Sequence, residues 1–443
     1  MFAAKNELLT RPSGGYKLTR SLRFRSSASA YLNRTPATAS NRKTFTWSGW
    51  VKRGTLSTYQ NIFSATTGGY PFILRFDNDN TIFVYQDGTS DYGGSTSAVY
   101  RDPAAWYHIV LAMDTTQATD TNRLKLYVNG VQNSVSAFYG YFALNLDTSI
   151  NSTGAHIIGQ SGSANYFDGY MTEVNFIDGQ ALAPTAFGTF NSYGVWQPIT
   201  YGGSYGTNGF RLPFTNNAST TTLGYDFSPQ GNNWTTNNIS VTAGATYDSM
   251  TDVPTLTSAT AANFATWNPL IAASTGVGTI TNGNLQCVTP TAGASNNYGT
   301  MGIASGNWYW EMTVTARTTD SHVMIGINDN TQSATEFYSQ AKGYAYRGNG
   351  EKWNNGSGVA YGSASTTGDI IGVAFDAAAG SLEFFKNGST MGVAFTGITA
   401  STYFPAICDT GASVGWTATA NFGQRPFTYT PPSGFLALNT FNL

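Results

Sequence analysis

The sequence predicts an all-β protein of two antiparallel sandwiches joined by an aromatic-containing connector, and three observations carry that prediction. First, residues 106–130 have the form of a long β-hairpin. Tyr107 to Met113 is a nearly unbroken apolar run holding β-branched Ile109 and Val110, so both faces of that strand are expected to be covered. Leu124, Leu126 and Val128 then alternate with Lys125 and Tyr127 at strand period, and Asn129-Gly130 supplies the positive φ angles of a tight turn. Second, residues 369–388 repeat the design as Ile370 to Asp376, a loop, Leu382 to Lys386 and Asn387-Gly388. The registers agree, since Leu126 precedes Asn129 by the interval at which Phe384 precedes Asn387. Third, charged residues are only 10% of the 443, against about 25% in ordinary soluble domains. Solubility therefore rests on Asn, Thr, Ser and the backbone of 49 Gly, while 10 Trp, 26 Tyr and 27 Phe supply core material. Such a composition suits a β-rich protein that works outside the cytosol or inside an assembled particle.

Taken in order, residues 1–20 read as a basic, irregular arm, and Ser21 to Tyr31 as a first strand. Thr44 to Val51 alternates cleanly and places Phe45 and Trp47 on one face. Phe72 to Phe76 and Thr81 to Tyr85 follow, joined by Asp77-Asn78-Asp79-Asn80; a hairpin turn is the better reading of that quartet, because no calcium-loop Glu follows it. After the central hairpin, residues 155–159 and 169–177 supply two more strands.

Net charge is only −2 but unevenly placed. Residues 1–53 hold eleven Lys and Arg against Glu7 alone, which is +10, and the remainder carries −12. One reading is a docking surface for an acidic neighbour, with Arg20, Arg23 and Arg25 as its contacts. The other is that Arg23 and Arg25, alternating with Leu22 and Phe24, solvate the outer face of the first strand.

Within residues 20–190, Trp106-Tyr107-His108, Leu126 to Gly130, Ile158-Gly159, Phe167-Asp168-Gly169, Glu173-Val174 and Ala181-Leu182 together resemble the laminin-G-like, or concanavalin-A-like, jelly-roll family. That resemblance implies two sheets packed face to face. Residues 201–255 are rich in Gly, Asn and Thr but punctuated by Phe210, Phe214, Tyr225, Phe227 and Trp234, so they are expected to pack on the first sandwich and continue its edge. Gly209-Phe210-Arg211-Leu212, Leu223 to Asp226, Gly231 to Thr235 and Met250 to Thr255 resemble a connector of bacteriophage structural proteins. Beyond it, Asn307 to Met312, Val323 to Ile327, the hairpin of residues 369–388, Tyr403 to Ala406 and Asn421 to Phe427 resemble the SPRY family, whose members are two-sheet sandwiches that mostly bind macromolecules through edge loops. The expected division is thus an arm at 1–20, a jelly-roll-type sandwich at 21–200, a packed connector at 201–255 and a SPRY-like sandwich at 256–443.

No chemistry gathers in the sequence. The six Glu include no Glu-x-Asp-x-x-Glu strand, and Glu173, Glu311 and Glu383 stand alone in strands, where an outward, solvated position is the default. His108, His156 and His322 are not spaced as metal ligands, and His108 reads as a structural residue. Cys287 and Cys408 form no disulfide framework and are expected to be buried thiols. No catalytic residue, metal or cofactor is assigned. Nucleic acid is not an expected partner, since the basic arm lacks interleaved aromatics. Neither an apolar leader nor a run near the roughly 18 apolar residues of a membrane span is seen.

Carbohydrate or protein recognition is better supplied. The candidate ligand-binding residues are Tyr344, Tyr346, Arg347 and Trp353 in the last domain and Tyr139 and Tyr141 after the first hairpin, against a competing reading of all six as packing. The phage resemblance implies a virion structural protein, a tail fibre or exterior decoration protein contacting host glycan or protein, partnered by other virion proteins and forming a homo-oligomer, with a trimer as one form. A purely architectural capsid or tail cement and a polysaccharide depolymerase are the alternatives.

Overall fold

A computed structural model describes residues 15–270, 278–289, 293–317, 323–329, 336–411 and 416–443. Most of the basic arm (residues 1–14) and His322 lie outside the described residues. The chain is all-β and forms two compact units, residues 15–241 with 247–257 and residues 258–443 with 242–246.

In the first unit one antiparallel sheet runs, edge to edge, Val131–Asn133, Leu124–Val128, Tyr107–Asp114, Thr44–Arg53, Gly169–Asp178, Ser21–Phe24 and Ser249–Met250, with Phe210–Leu212 also on Gly169–Asp178. The facing sheet runs Val135–Gly140, Tyr92–Thr96, Ile82–Gln86, Tyr70–Phe76, Gln60–Thr67, His156–Ile158, Tyr31–Arg34 and Thr235–Asn237. Their inner faces meet in one core, where Phe45 contacts Phe72 at 5.7 Å between ring centroids and Trp47 stacks on Phe63 at 6.4 Å. The expected first strand is two strands in opposite sheets. Ser29, with φ of 55°, turns the chain left-handed after Ser21–Phe24 and sends Tyr31–Arg34 across.

The connector is part of this sandwich. Phe210–Leu212 and Ser249–Met250 extend the first sheet and Thr235–Asn237 closes the edge of the second. Phe210, Phe214 and Trp234 enter the core, with Trp234 edge-on to Phe210 at 4.8 Å, whereas Tyr225 and Phe227 stay exposed. The second face of Tyr107–Asp114 is also covered, since Val110 packs with Ile177, Phe187 and Tyr205.

The second unit repeats the plan. One sheet runs Thr279–Thr281, Gln286–Val288, Trp416–Asn421, Asn307–Arg317, Ile370–Asp376, Ser381–Lys386 and Ser389–Phe395, with Leu436–Ala437 parallel to Asn307–Arg317. The other runs Gly293–Tyr298, Phe404–Gly411, Val323–Asn328, Gly343–Arg347, Glu351–Asn354 and Ser357–Ala360.

The two hairpins agree down to the turn. Asn129 and Gly130 have φ of 49° and 80°, Asn387 and Gly388 have 50° and 77°, and both pairs are type I′ turns. Each Asn also ties the far strand. Asn129 N–H donates to the His108 carbonyl at 2.8 Å while its Oδ1 accepts from His108 N–H at 2.8 Å. Asn387 makes the same exchange with Ile370 at 2.9 Å in both directions.

Candidate functional site

The strand Ile82–Gln86 turns Ile82, Val84 and Gln86 inward, so strand period aims Phe83 and Tyr85 at the opposite face of the second sheet. The neighbouring strand Tyr92–Thr96 carries Gly93 opposite Tyr85, and beside it Gly94, where a Cβ would collide with the Ser136 carbonyl oxygen. With the edge strand Val135–Gly140 drawn in against Gly94, the ring of Tyr139 reaches Tyr85 at 5.2 Å and Phe83 at 6.2 Å. Phe83 and Tyr85 stack at 5.7 Å, and Phe138 meets Tyr139 edge-on at 4.9 Å. From the other side Arg75 lies 4.4 Å over Phe83 and 4.5 Å over Tyr59, its charge paired with Asp77 at 3.4 Å. Phe138 is 76% exposed, Tyr139 45% and Tyr59 42%. Burial, with Asp91 and Asp87 beside it, pushes the Tyr85 phenol up.

Tyr141 points elsewhere. It lines a cleft of about 240 Å³ with Gly93, Asp120, Leu124, Asn133 and Phe142. Of the sequence candidates in this unit, Tyr139 thus joins an aromatic cluster and Tyr141 a neighbouring cleft. Phe83, Tyr85, Phe138 and Tyr59 were missed. The signal was present in the alternation of Ile82 to Gln86 and in the Gly-Gly pair of the next strand.

The second-unit candidates do not form a common surface. Tyr346 is fully buried, donates to the Ser363 carbonyl at 2.7 Å and packs on Phe384, so it is core. Tyr344 is half-buried between Phe395 at 5.2 Å and Tyr403 at 6.1 Å. Strand alternation sends Ala345 to the other face, where Arg347 and Trp353 meet. Arg347 pairs with Glu351 at 3.1 Å and lies 5.5 Å over Trp353, whose Nε1–H donates to Glu351 at 2.8 Å.

The basic residues expected to dock on a neighbour are engaged inside the first unit. Arg23 is fully buried and pairs with Asp248 at 3.0 Å. Arg25 grips the same carboxylate through Nε at 2.9 Å and a terminal nitrogen at 3.0 Å. Arg20, half-buried, donates to Ser249 Oγ at 3.2 Å. Lys52, also fully buried, pairs with Asp252 at 2.8 Å, and Asp252 accepts from Trp106 Nε1–H at 3.1 Å. Neither the docking reading nor the solvated-face reading survives for Arg23. Connector carboxylates about 200 residues away, Asp248 and Asp252, fold back onto these cations.

The carboxylates expected to be solvated are likewise held. Glu173 is buried at a bulge with φ of 48°, accepts from Tyr16 at 2.8 Å and pairs with Arg211 at 2.7 Å. Buried Glu311 accepts from the backbone N–H groups of Thr428 and Tyr429 at 2.9 and 2.8 Å. Glu383 is half-buried and takes the Thr390 hydroxyl. His108 is buried as a neutral imidazole, with burial pushing it down to about 3. Trp196 Nε1–H donates to its Nδ1 at 2.9 Å, so Nε2 carries the proton to Ser48 Oγ at 2.9 Å. Cys287 and Cys408 are free and buried, and burial pushes the Cys287 thiol up to about 12. Among the described residues no three His, Cys, Asp or Glu side chains gather as metal ligands.

Two antiparallel sandwiches on one chain, each capped by the same hairpin, define the class. The family assignments divide it. Residues 26–186 match the Concanavalin A-like lectin/glucanases superfamily and residues 307–425 match the SPRY domain, so the chain carries a concanavalin A-like domain followed by a SPRY domain. The connector strands lie outside both matches. Curated relatives include the Drosophila melanogaster ATP-dependent RNA helicase Ddx1, 31% identical over 135 residues (30% of this chain, 17% of that protein). The human Ran-binding protein 9 is 30% identical over 129 residues (28% of this chain, 17% of that protein). The chain therefore spans about a sixth of the length of these relatives. Among solved structures, the SPRY domain of human HERC1 is 19% identical with a TM-score of 0.29, covering 31% of this chain and 87% of that one.

Proposed function

We propose that this chain is a binding rather than a catalytic protein, a structural component of a bacteriophage particle that uses its first unit to contact a host surface. The observation that carries the binding role is the aromatic cluster in which exposed Phe138 and Tyr139 meet part-exposed Tyr85, while the strand carboxylates Glu173 and Glu311 are committed to Arg211 and to backbone N–H groups. Support for the particle comes from the connector wording, from the low charge content, and from a sandwich that the connector completes. The basic segment does not favour electrostatic docking, since Arg23, Arg25 and Lys52 are already paired within the unit.

Immunogold imaging of particles carrying the chain, combined with a glycan array probed with the purified protein, tests this reading. Exterior label together with array binding is the expected result. Exterior label with no glycan or host protein bound gives the cement role instead, and release of reducing sugar from host polysaccharide gives a depolymerase. Particles without label end the virion assignment.

A further inference from the structure

We infer that the solvent face of the second sheet of the first unit is a stacking platform for an uncharged polysaccharide chain, built from Tyr59, Arg75, Tyr85, Tyr139 and Phe138 over a buried Phe83. This rests on the binding reading above and gives it a place and a ligand class. The rings are linked in sequence by contacts of 4.4 to 6.2 Å, from Tyr59 through Arg75, Phe83 and Tyr85 to Tyr139 and Phe138. They follow the order of the strands, from the one beginning at Gln60 to the sheet edge at Val135–Gly140. Four strand spacings of about 4.8 Å make a row of roughly 19 Å, long enough for several consecutive sugar rings.

Three features select the ligand. The exposed rings of Tyr59, Tyr139 and Phe138, with part-exposed Tyr85 between them, match the C–H face of a pyranose, which presents apolar hydrogens in a plane and directs its hydroxyls outward. Polar groups stand where those hydroxyls would project: the Tyr85 and Tyr139 phenols, the Arg75 guanidinium and the nearby Asp87 and Asp91 carboxylates. The charge balance excludes an acidic chain. Arg75 is already matched by Asp77, so Asp87 and Asp91 leave the rim negative, and an acidic chain meets like charge there. The Gly94 backbone lets the edge strand that carries Tyr139 close on its neighbour, since a Cβ there would meet the Ser136 carbonyl oxygen.

The test is isothermal titration of the full chain with mixed-linkage β-glucan, galactomannan and dextran as uncharged probes and alginate as the acidic one. Saturable binding to at least one uncharged polymer is expected, with affinity held within about twofold between roughly 0.05 and 0.5 M NaCl because stacking is not screened. The double variant Phe138→Ala, Tyr139→Ala should lose about tenfold or more in affinity, while Tyr193→Ala, an exposed tyrosine on a separate hairpin, leaves it unchanged. Circular dichroism identical to the parent certifies the fold of each variant. No binding to any uncharged polymer, binding to alginate alone, or an undiminished double variant overturns the platform. A double variant that keeps its glycan-array or host-surface binding sinks the platform while leaving the proposed function standing; failure of the parent chain on every array and surface sinks the latter.

Discussion

The single carboxylate of Asp252 shows how much of the first unit hangs on individual residues. It accepts from buried Lys52 and from Trp106 Nε1–H. Removing it takes a paired carboxylate from a buried ammonium, a loss of about 3–5 kcal/mol from a fold whose whole margin is typically about 5–15 kcal/mol. Asp252→Ala should therefore lower the denaturant midpoint by a large fraction, whereas the joint change Lys52→Met, Asp252→Leu should recover much of it. An equal loss in both would show that the pair's charge is not the cause. The imidazoles give a pH prediction. Burial pushes His108 from its ordinary 6.5 down to about 3 and His156 down to about 4, so the unfolded chain takes up protons at a pH where the folded one does not. Stability is complete above about pH 6.5 and falls as pH drops toward 4, by up to about 1.4 kcal/mol per pH unit for each imidazole. Urea midpoints at pH 7 and 5 measure this, and His108→Gln should remove one imidazole's share of the slope. That His108 is structural could be read from its place in an apolar strand. Its partner Trp196, 88 residues on, could not.

At the scale of elements, the two Asn-Gly hairpins were the most legible features, because alternation fixes which side chains face the core and the turn type demands residues that tolerate positive φ. What spacing did not disclose is the second task of each asparagine, whose side-chain oxygen accepts from the first strand as its own N–H donates to it. Asn129→Ala and Asn387→Ala should each cost about 2–3 kcal/mol, from the left-handed backbone and one lost hydrogen bond. Asn→Gly at the same sites should cost only the hydrogen bond, about 1 kcal/mol. Paired urea titrations of the Ala and Gly variants check the difference; equal losses would mean that backbone conformation contributes nothing. Glu173 and Glu311 mark where element-level reading stops. Both sit in strands with no visible partner, and both are buried because Arg211 and the 428–429 backbone reach them from segments that sequence distance conceals.

For the molecule as a whole, the charge asymmetry of +10 against −12 was legible but its meaning was not. Composition cannot say whether opposite charges meet inside one fold or face a partner, and here Asp248 and Asp252 return to Arg23, Arg25 and Lys52. The same segment supplies Phe210, Leu212, Phe214 and Trp234 to the core and strands to both sheets. The family match ends at residue 186, so it marks a boundary that the physics of the fold does not share. A chain of residues 15–200 would keep the matched domain but expose that part of the core and take the Asp248 and Asp252 carboxylates from buried Arg23 and Lys52, a combined loss comparable to the usual stability of a domain. It should be expressed as aggregate or unfold without a cooperative transition, whereas residues 15–257 should give a single cooperative urea transition by both circular dichroism and tryptophan fluorescence. Cooperative unfolding of the shorter chain with an undiminished midpoint would mean that the connector decorates a complete sandwich; its loss would mean that the sandwich is finished only when the chain returns at Met250.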